Sequence, residues 1–194
     1  GGFKAGTILA DNDAALQVET SHGKRVKIKS NHVLLRFREP SPAELLDQAE
    51  ALAESLEADF LWEVCGDDEF DFIALAEEYH GRTPNALEAT ALLLRLHASP
   101  IYFHRKGRGR FRKAPPDILK AALAGQEKKR QQAEIMEQIR AELVAGRLPE
   151  AIAGMVPQLL YRPDRNRLET KAFEAACVDA GLSGANLMLR CGAL

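Results

Sequence analysis

A chain of 194 residues, 46% hydrophobic and 28% charged, has the composition of an ordinary globular protein with apolar material for one or two modest cores. A formal net charge of -2 and an isoelectric point near 6.3 exclude a uniformly basic nucleic-acid coat, so any site for a polyanion must be a local patch. No apolar run approaches the roughly 20 residues that a membrane helix requires. Cys65, Cys177 and Cys191 are odd in number and far apart, with no CxxC pair, which argues against a disulfide frame or zinc site and for reduced thiols in a cytoplasm. The opening Gly1-Gly2 lacks a Met, so the native start is expected to lie upstream.

From residue 3 to 38 the pattern is alternating and β-branched: Thr7-Ile8-Leu9, Leu16 to Thr20, Val26 to Lys29 and Val33 to Leu35 are predicted strands. Asp11-Asn12-Asp13 and Ser21-His22-Gly23 are turn-forming, so this segment is predicted to be a small antiparallel barrel or sheet. A period of two sets Val26 and Ile28 on one face and Lys27 and Lys29 on the other, with Lys24 and Arg25 just before, giving a basic face.

Pro40-Ser41-Pro42 punctuates the chain, and Leu45, Leu46, Ala49, Leu52, Ala53, Leu56 and Phe60 then recur at helical spacing to about Trp62. No Lys or Arg occurs between Arg38 and Arg82, so this acidic stretch is not expected to meet phosphate. Asp67-Asp68-Glu69 with Asp71 lacks the glycine turn and distal Glu of a calcium loop and is expected to cap the next helix, Phe72 to Tyr79. His80-Gly81 stops that helix, and Thr83-Pro84 is predicted to start another that runs to Ser99-Pro100.

Two alternating arms around a glycine-containing turn follow, Ile101 to Arg105 and Arg110 to Lys113, which predicts a β-hairpin. Helices followed by a basic hairpin predict a winged helix-turn-helix. Six of the nine residues from Arg105 to Lys113 are Lys or Arg, with no acid among them, and Tyr102, Phe103, His104 and Phe111 lie within or beside the run. Cations neutralise phosphates and aromatic faces stack on unpaired bases, so the hairpin is the leading nucleic-acid candidate. Phe103 and Phe111 are expected to pack inward on the helices. The glycines of Lys106-Gly107-Arg108-Gly109 do not make a P-loop.

After Pro115-Pro116 a long helix is predicted from Asp117 to Ala145 with a polar middle, then a short helix from Glu150 to Leu160 and a last one from Leu168 to Ala180. Leu187-Met188-Leu189 is apolar with nothing after it to close a core, so a larger protein is expected to continue beyond Leu194.

Three stretches together resemble the amino-terminal region of bacterial ribonuclease II-like exoribonucleases, in the branch whose leading part is a winged helix. They are Ala5 to Asp11 with Gly23 to Lys29, Tyr102 to Phe111, and Leu159-Leu160-Tyr161-Arg162-Pro163-Asp164-Arg165-Asn166. The resemblance implies a parent enzyme that degrades RNA hydrolytically from the 3′ end, using magnesium held by clustered aspartates in a later domain. No such aspartate set occurs here, so no catalytic residue carries over and no cofactor is expected in this chain.

The expected fold class is α+β: a small β unit over 1-39, a winged helix-turn-helix over 40-116 with its wing at 101-113, and a long helix with C-terminal helices over 117-194 leading to a catalytic domain. The expected function is binding of single-stranded RNA and its delivery to that carboxy-terminal nuclease domain. Its candidate contacts are Lys24, Arg25, Lys27, Lys29, Tyr102, His104, Arg105, Lys106, Arg108, Arg110, Arg112 and Lys113. The alternatives are a DNA-binding winged-helix regulator and a protein-interaction module that docks through its acidic helices. A DNA reader carries basic or amide residues on its second helix, where only Asn85 and Arg95 stand.

Overall fold

A computed structural model describes residues 2–194 as an α+β protein with two small antiparallel sheets and, among the described residues, nine α-helices. The chain divides into two compact units, Gly1–Lys120 and Ala121–Leu194.

The first unit opens with β1 (Gly6–Asp11), β2 (Ala15–Thr20) and β3 (Arg25–Lys29), paired in that order. The first turn forms because Asp11 Oδ1 accepts the Asp13 N–H at 3.0 Å and Asn12 Oδ1 accepts the Ala15 N–H at 2.8 Å. Leu16 faces Ile28 and Val18 faces Val26 on the inward face, where Leu16 is buried, while Arg25, Lys27 and Lys29 are exposed. Val33 to Leu35 is not a strand. A 3-10 turn over Ser30–His32 ends the sheet, and Leu34 and Leu35 pack instead on the helical core, an apolar contact that a further sheet edge does not offer.

The helix expected from Ala43 to Trp62 is two, α1 (Pro42–Glu54) and α2 (Ala58–Val64). Ser41 and Glu44 form a capping box at the start of α1. The chain breaks at its end, where the Ser55 hydroxyl donates to the Leu52 carbonyl at 2.6 Å and Leu56 turns into the core. After β4 (Phe70–Asp71), the Asp71 carboxylate accepts the Ile73 N–H at 2.9 Å and caps α3 (Phe72–His80), as expected; Gly81, at φ 67°, ends it. The following helix, α4 (Ala86–His97), starts two residues later than Pro84, because Asn85 accepts the Glu88 N–H and Glu88 accepts the Asn85 N–H, a reciprocal cap that Thr83 does not offer. The hairpin β5 (Phe103–Gly107) and β6 (Arg110–Lys113) joins β4 in the order β4-β6-β5. Leu61, Phe72, Leu92, Leu96, Phe103 and Phe111 anchor the core of this unit.

Helix α5 (Pro116–Val144) closely matches the expected long helix and carries residues of both units. In the second unit the segment expected as one helix is α6 (Glu150–Ala153) and α7 (Val156–Tyr161), parted at Gly154-Met155. Helix α8 (Leu168–Ala180) has its expected bounds. Gly181, at φ 65°, then reverses the chain into an unexpected α9 (Gly184–Arg190), which packs on α7 and α8. Leu187 and Met188 are thereby wholly buried in a core with Ile139, Leu143, Ile152 and Phe173, whereas Leu189 is exposed.

Candidate nucleic-acid interface

The hairpin is fixed from inside by its alternate residues. Phe103 and Phe111 are buried as expected, and Phe70 packs on both, edge-on to Phe103 at 6.2 Å and stacked on Phe111 at 6.4 Å. The turn runs through three consecutive left-handed residues, Gly107 (φ 83°), Arg108 (φ 54°) and Gly109 (φ 73°). Gly109 is required: its carbonyl accepts the Phe72 N–H at 3.0 Å, and a Cβ there would stand 2.7 Å from the Phe72 ring. The turn is thereby tied to the start of α3.

The hairpin's cations divide into two groups. Beside the turn, Arg110 Nε donates to Glu69 Oε1 at 2.7 Å, and farther down β6 Arg112 Nε donates to the Asp67 carbonyl at 3.1 Å. Lys113 Nζ donates to the Trp62 and Cys65 carbonyls at 3.3 and 3.2 Å and lies 4.5 Å from the Trp62 ring centroid. Arg105 Nη2 donates to the His97 carbonyl at 2.7 Å. At the tip, Lys106 and Arg108 are exposed and make no hydrogen bond or ion pair among the described residues; His104 on β5 is also exposed without a partner. Part of the wing's self-repulsion is therefore relieved within the chain, by the loop carrying Asp67 and Glu69, before any external anion is needed.

The remaining sequence candidates lie apart from the tip. Tyr102 is half-buried against the core. Lys24, Arg25, Lys27 and Lys29 are exposed on the first sheet, with Arg25 3.7 Å from Glu19. Of the acidic run from Asp67 to Asp71, Asp71 caps a helix, Glu69 holds Arg110 and Asp67 faces Lys113 at 3.7 Å. No group of three or more His, Cys, Asp or Glu side chains placed to hold a metal occurs among the described residues.

Beside the wing tip opens a cleft of about 280 Å³. Phe3, Leu34 and Phe111 supply apolar wall, His32 and His97 imidazoles, and Arg105, Arg108 and Arg110 the cations; none of the β3 cations lines it. Burial, and then the nearby Arg105 charge, hold His97 below its ordinary range, so at neutral pH its ring is uncharged. Sequence reasoning missed Phe3, His32, Leu34 and His97, which come from three distant segments and carry no local motif.

Helix α4 shows no exposed residue from Ala86 to His97, since α1 and α3 pack against it. At its start, Glu88 accepts both terminal nitrogens of Arg82 at 2.8 Å, and His80 Nδ1 lies 2.9 Å from the same carboxylate. The Arg82 guanidinium, aided by the Asn85 N–H, holds Glu88 down to about 2. The three cysteines are unpaired, and burial pushes each thiol up, as inert side chains require. No helix among the described residues is long and apolar enough to cross a membrane.

No protein-family model, curated protein or solved structure matches the chain.

Proposed function

We propose that residues 40-116 form a winged helix-turn-helix whose wing tip binds single-stranded RNA, and that the chain is the RNA-guiding amino-terminal part of a ribonuclease II-type 3′-5′ exoribonuclease. In this reading the magnesium-dependent hydrolysis belongs to a catalytic domain outside residues 1–194. The order of elements, α2-β4-α3-α4-β5-β6 with sheet order β4-β6-β5, supports the winged-helix assignment. The likeness to ribonuclease II-like proteins rests on its motifs alone.

The observation that carries the reading is the pair Lys106 and Arg108: exposed cations at a rigid tip, unpaired although neighbouring wing cations have partners inside the chain. The packing of α4 disfavours the DNA-regulator alternative, because none of its residues is fully exposed and it offers few side chains to a major groove. Phosphate contacts from the tip hold a strand without reading its sequence.

The test is a titration of single-stranded RNA at several salt concentrations. Replacing Lys106 and Arg108 with Ala is expected to lower affinity and to flatten the log-log salt slope by about 1.4, at about 0.7 per lost contact on a single strand. Replacing Arg110 and Arg112, already engaged by Glu69 and the Asp67 carbonyl, is expected to change the slope less. A folded tip variant with undiminished affinity and slope removes the wing from consideration and leaves Lys24, Arg25, Lys27 and Lys29 as the site.

A further inference from the structure

We propose that the cleft beside the wing tip is a pocket for one unpaired nucleotide, its base held between Phe3 and Leu34 and its phosphate by Arg108 with Arg105 at the rim. This rests on the wing as an RNA-binding element and goes further, naming where a base is held and what holds it. Four observations carry it.

The first is size. At about 280 Å³ the cleft lies near the lower end of small-molecule sites, about 300–1,000 Å³, which suits one nucleotide and not a stacked pair. The second is the division of its lining. Phe3, Leu34 and Phe111 make an apolar interior, whereas Arg105, Arg108 and Arg110 bring positive charge. A site for free phosphate has no use for the apolar wall, and a site for an apolar ligand has no use for three guanidiniums. A nucleotide needs both.

The third observation is preorganisation. Arg105 is anchored through Nη2 on the His97 carbonyl and Arg110 through Nε on Glu69, which leaves other N–H groups of each fork unengaged. The turn between them is tied to α3 through the Gly109 carbonyl. Arg108, without a partner, stands on that fixed turn in the left-handed region. The fourth is the imidazole wall. The His97 ring is held edge-on to Phe3 at 4.7 Å, and a neutral imidazole offers one donor and one acceptor, which matches the mixed edge of a base.

The experiment titrates the full chain with adenosine 5′-monophosphate, adenosine and inorganic phosphate, following backbone amide signals of residues 3, 34, 97 and 105–111, and in parallel with single-stranded RNA. Saturable shifts of those signals with the monophosphate are expected, weaker ones with adenosine, and the weakest with phosphate. Phe3→Leu keeps the apolar bulk but removes the ring face, and is expected to weaken monophosphate and RNA binding about tenfold, the scale of one lost stacking contact, with an unchanged thermal melt. Arg108→Gly is expected to weaken the monophosphate and leave adenosine unaffected. RNA binding without any monophosphate response at these residues overturns the pocket and leaves the wing reading intact. Monophosphate binding without RNA binding supports the pocket and overturns the wing reading. Phosphate bound as tightly as the monophosphate also overturns the pocket.

Discussion

Arg108 sits at φ 54°, a conformation that costs a non-glycine residue about 1 kcal/mol and that Gly107 and Gly109 on either side adopt freely. A glycine at 108 would suit the backbone better, and the proposed phosphate contact gives the arginine a use that the turn itself does not. Arg108→Gly is accordingly expected to raise the melting temperature slightly while lowering RNA affinity, measured on the same preparation. Loss of both together would mean that the side chain supports the turn. Glu88 is the second residue whose chemistry makes a prediction. Its carboxyl is depressed from 4.5 to about 2 in the folded chain, so the stabilisation it gives is present in full above about pH 4.5 and drains as pH falls through about 2. Urea melts of wild type and Glu88→Gln are expected to differ at pH 7 and to converge on acidification. A constant gap across that range would assign the effect to packing instead of charge.

At the scale of elements, the decisive relation is between the wing and the loop before β4. That loop places the Glu69 carboxylate and the Asp67 carbonyl on Arg110 and Arg112, and so engages those two cations within the chain. Glu69→Gln is expected to release Arg110, tighten RNA binding at low salt and steepen the salt slope by up to about 0.7, the value of one added phosphate contact. Titrations at low and high salt distinguish this from a conformational effect, which would shift affinity without changing the slope. The loop leads into β4, whose Asp71 caps α3, and Asp71→Ala is expected to cost about 1 kcal/mol in a denaturant melt. Glu69 and Asp71 are thus separable: one holds Arg110, the other holds a helix.

At the scale of the whole molecule, the two units have separate cores that share no residue. Leu92 in the first and Leu143 in the second are both fully buried, and truncation of either to Ala is expected to cost about 2–5 kcal/mol. Hydrogen exchange on the full chain is expected to show Leu92→Ala weakening protection across α1 to β6 while α8 and α9 keep theirs, with Leu143→Ala doing the reverse. Uniform loss of protection from either substitution would show that the two cores unfold as one. Between these cores in sequence, residues 124–135 of α5 are all exposed, and the Arg130 guanidinium is held by Glu127 at 2.7 Å and by Glu134, ion pairs that support a helix in water.

Local patterns carried much of this structure. The alternation in Val26 to Lys29 and the burial of Phe103 and Phe111 follow from period two, which the backbone imposes without reference to distant residues. The bounds of α5 and α8 and the Asp71 cap follow from proline, glycine and short polar side chains acting within a turn or two. What local pattern misjudged were contacts made over long separations. Val33 to Leu35 looks like a strand because its residues are apolar, yet Leu34 and Leu35 pack on the core of the first unit; Leu187-Met188 looks unpartnered because its partners, Ile139 and Leu143, lie more than forty residues earlier. The basic run from Arg105 to Lys113 was legible as charge, but charge alone does not say which cations are spoken for. That was decided by tertiary structure, which sets Glu69 and Asp67 forty-odd residues upstream against Arg110 and Arg112 on β6, leaves Lys106 and Arg108 free at the turn, and gathers Phe3, Leu34 and His97 beside them.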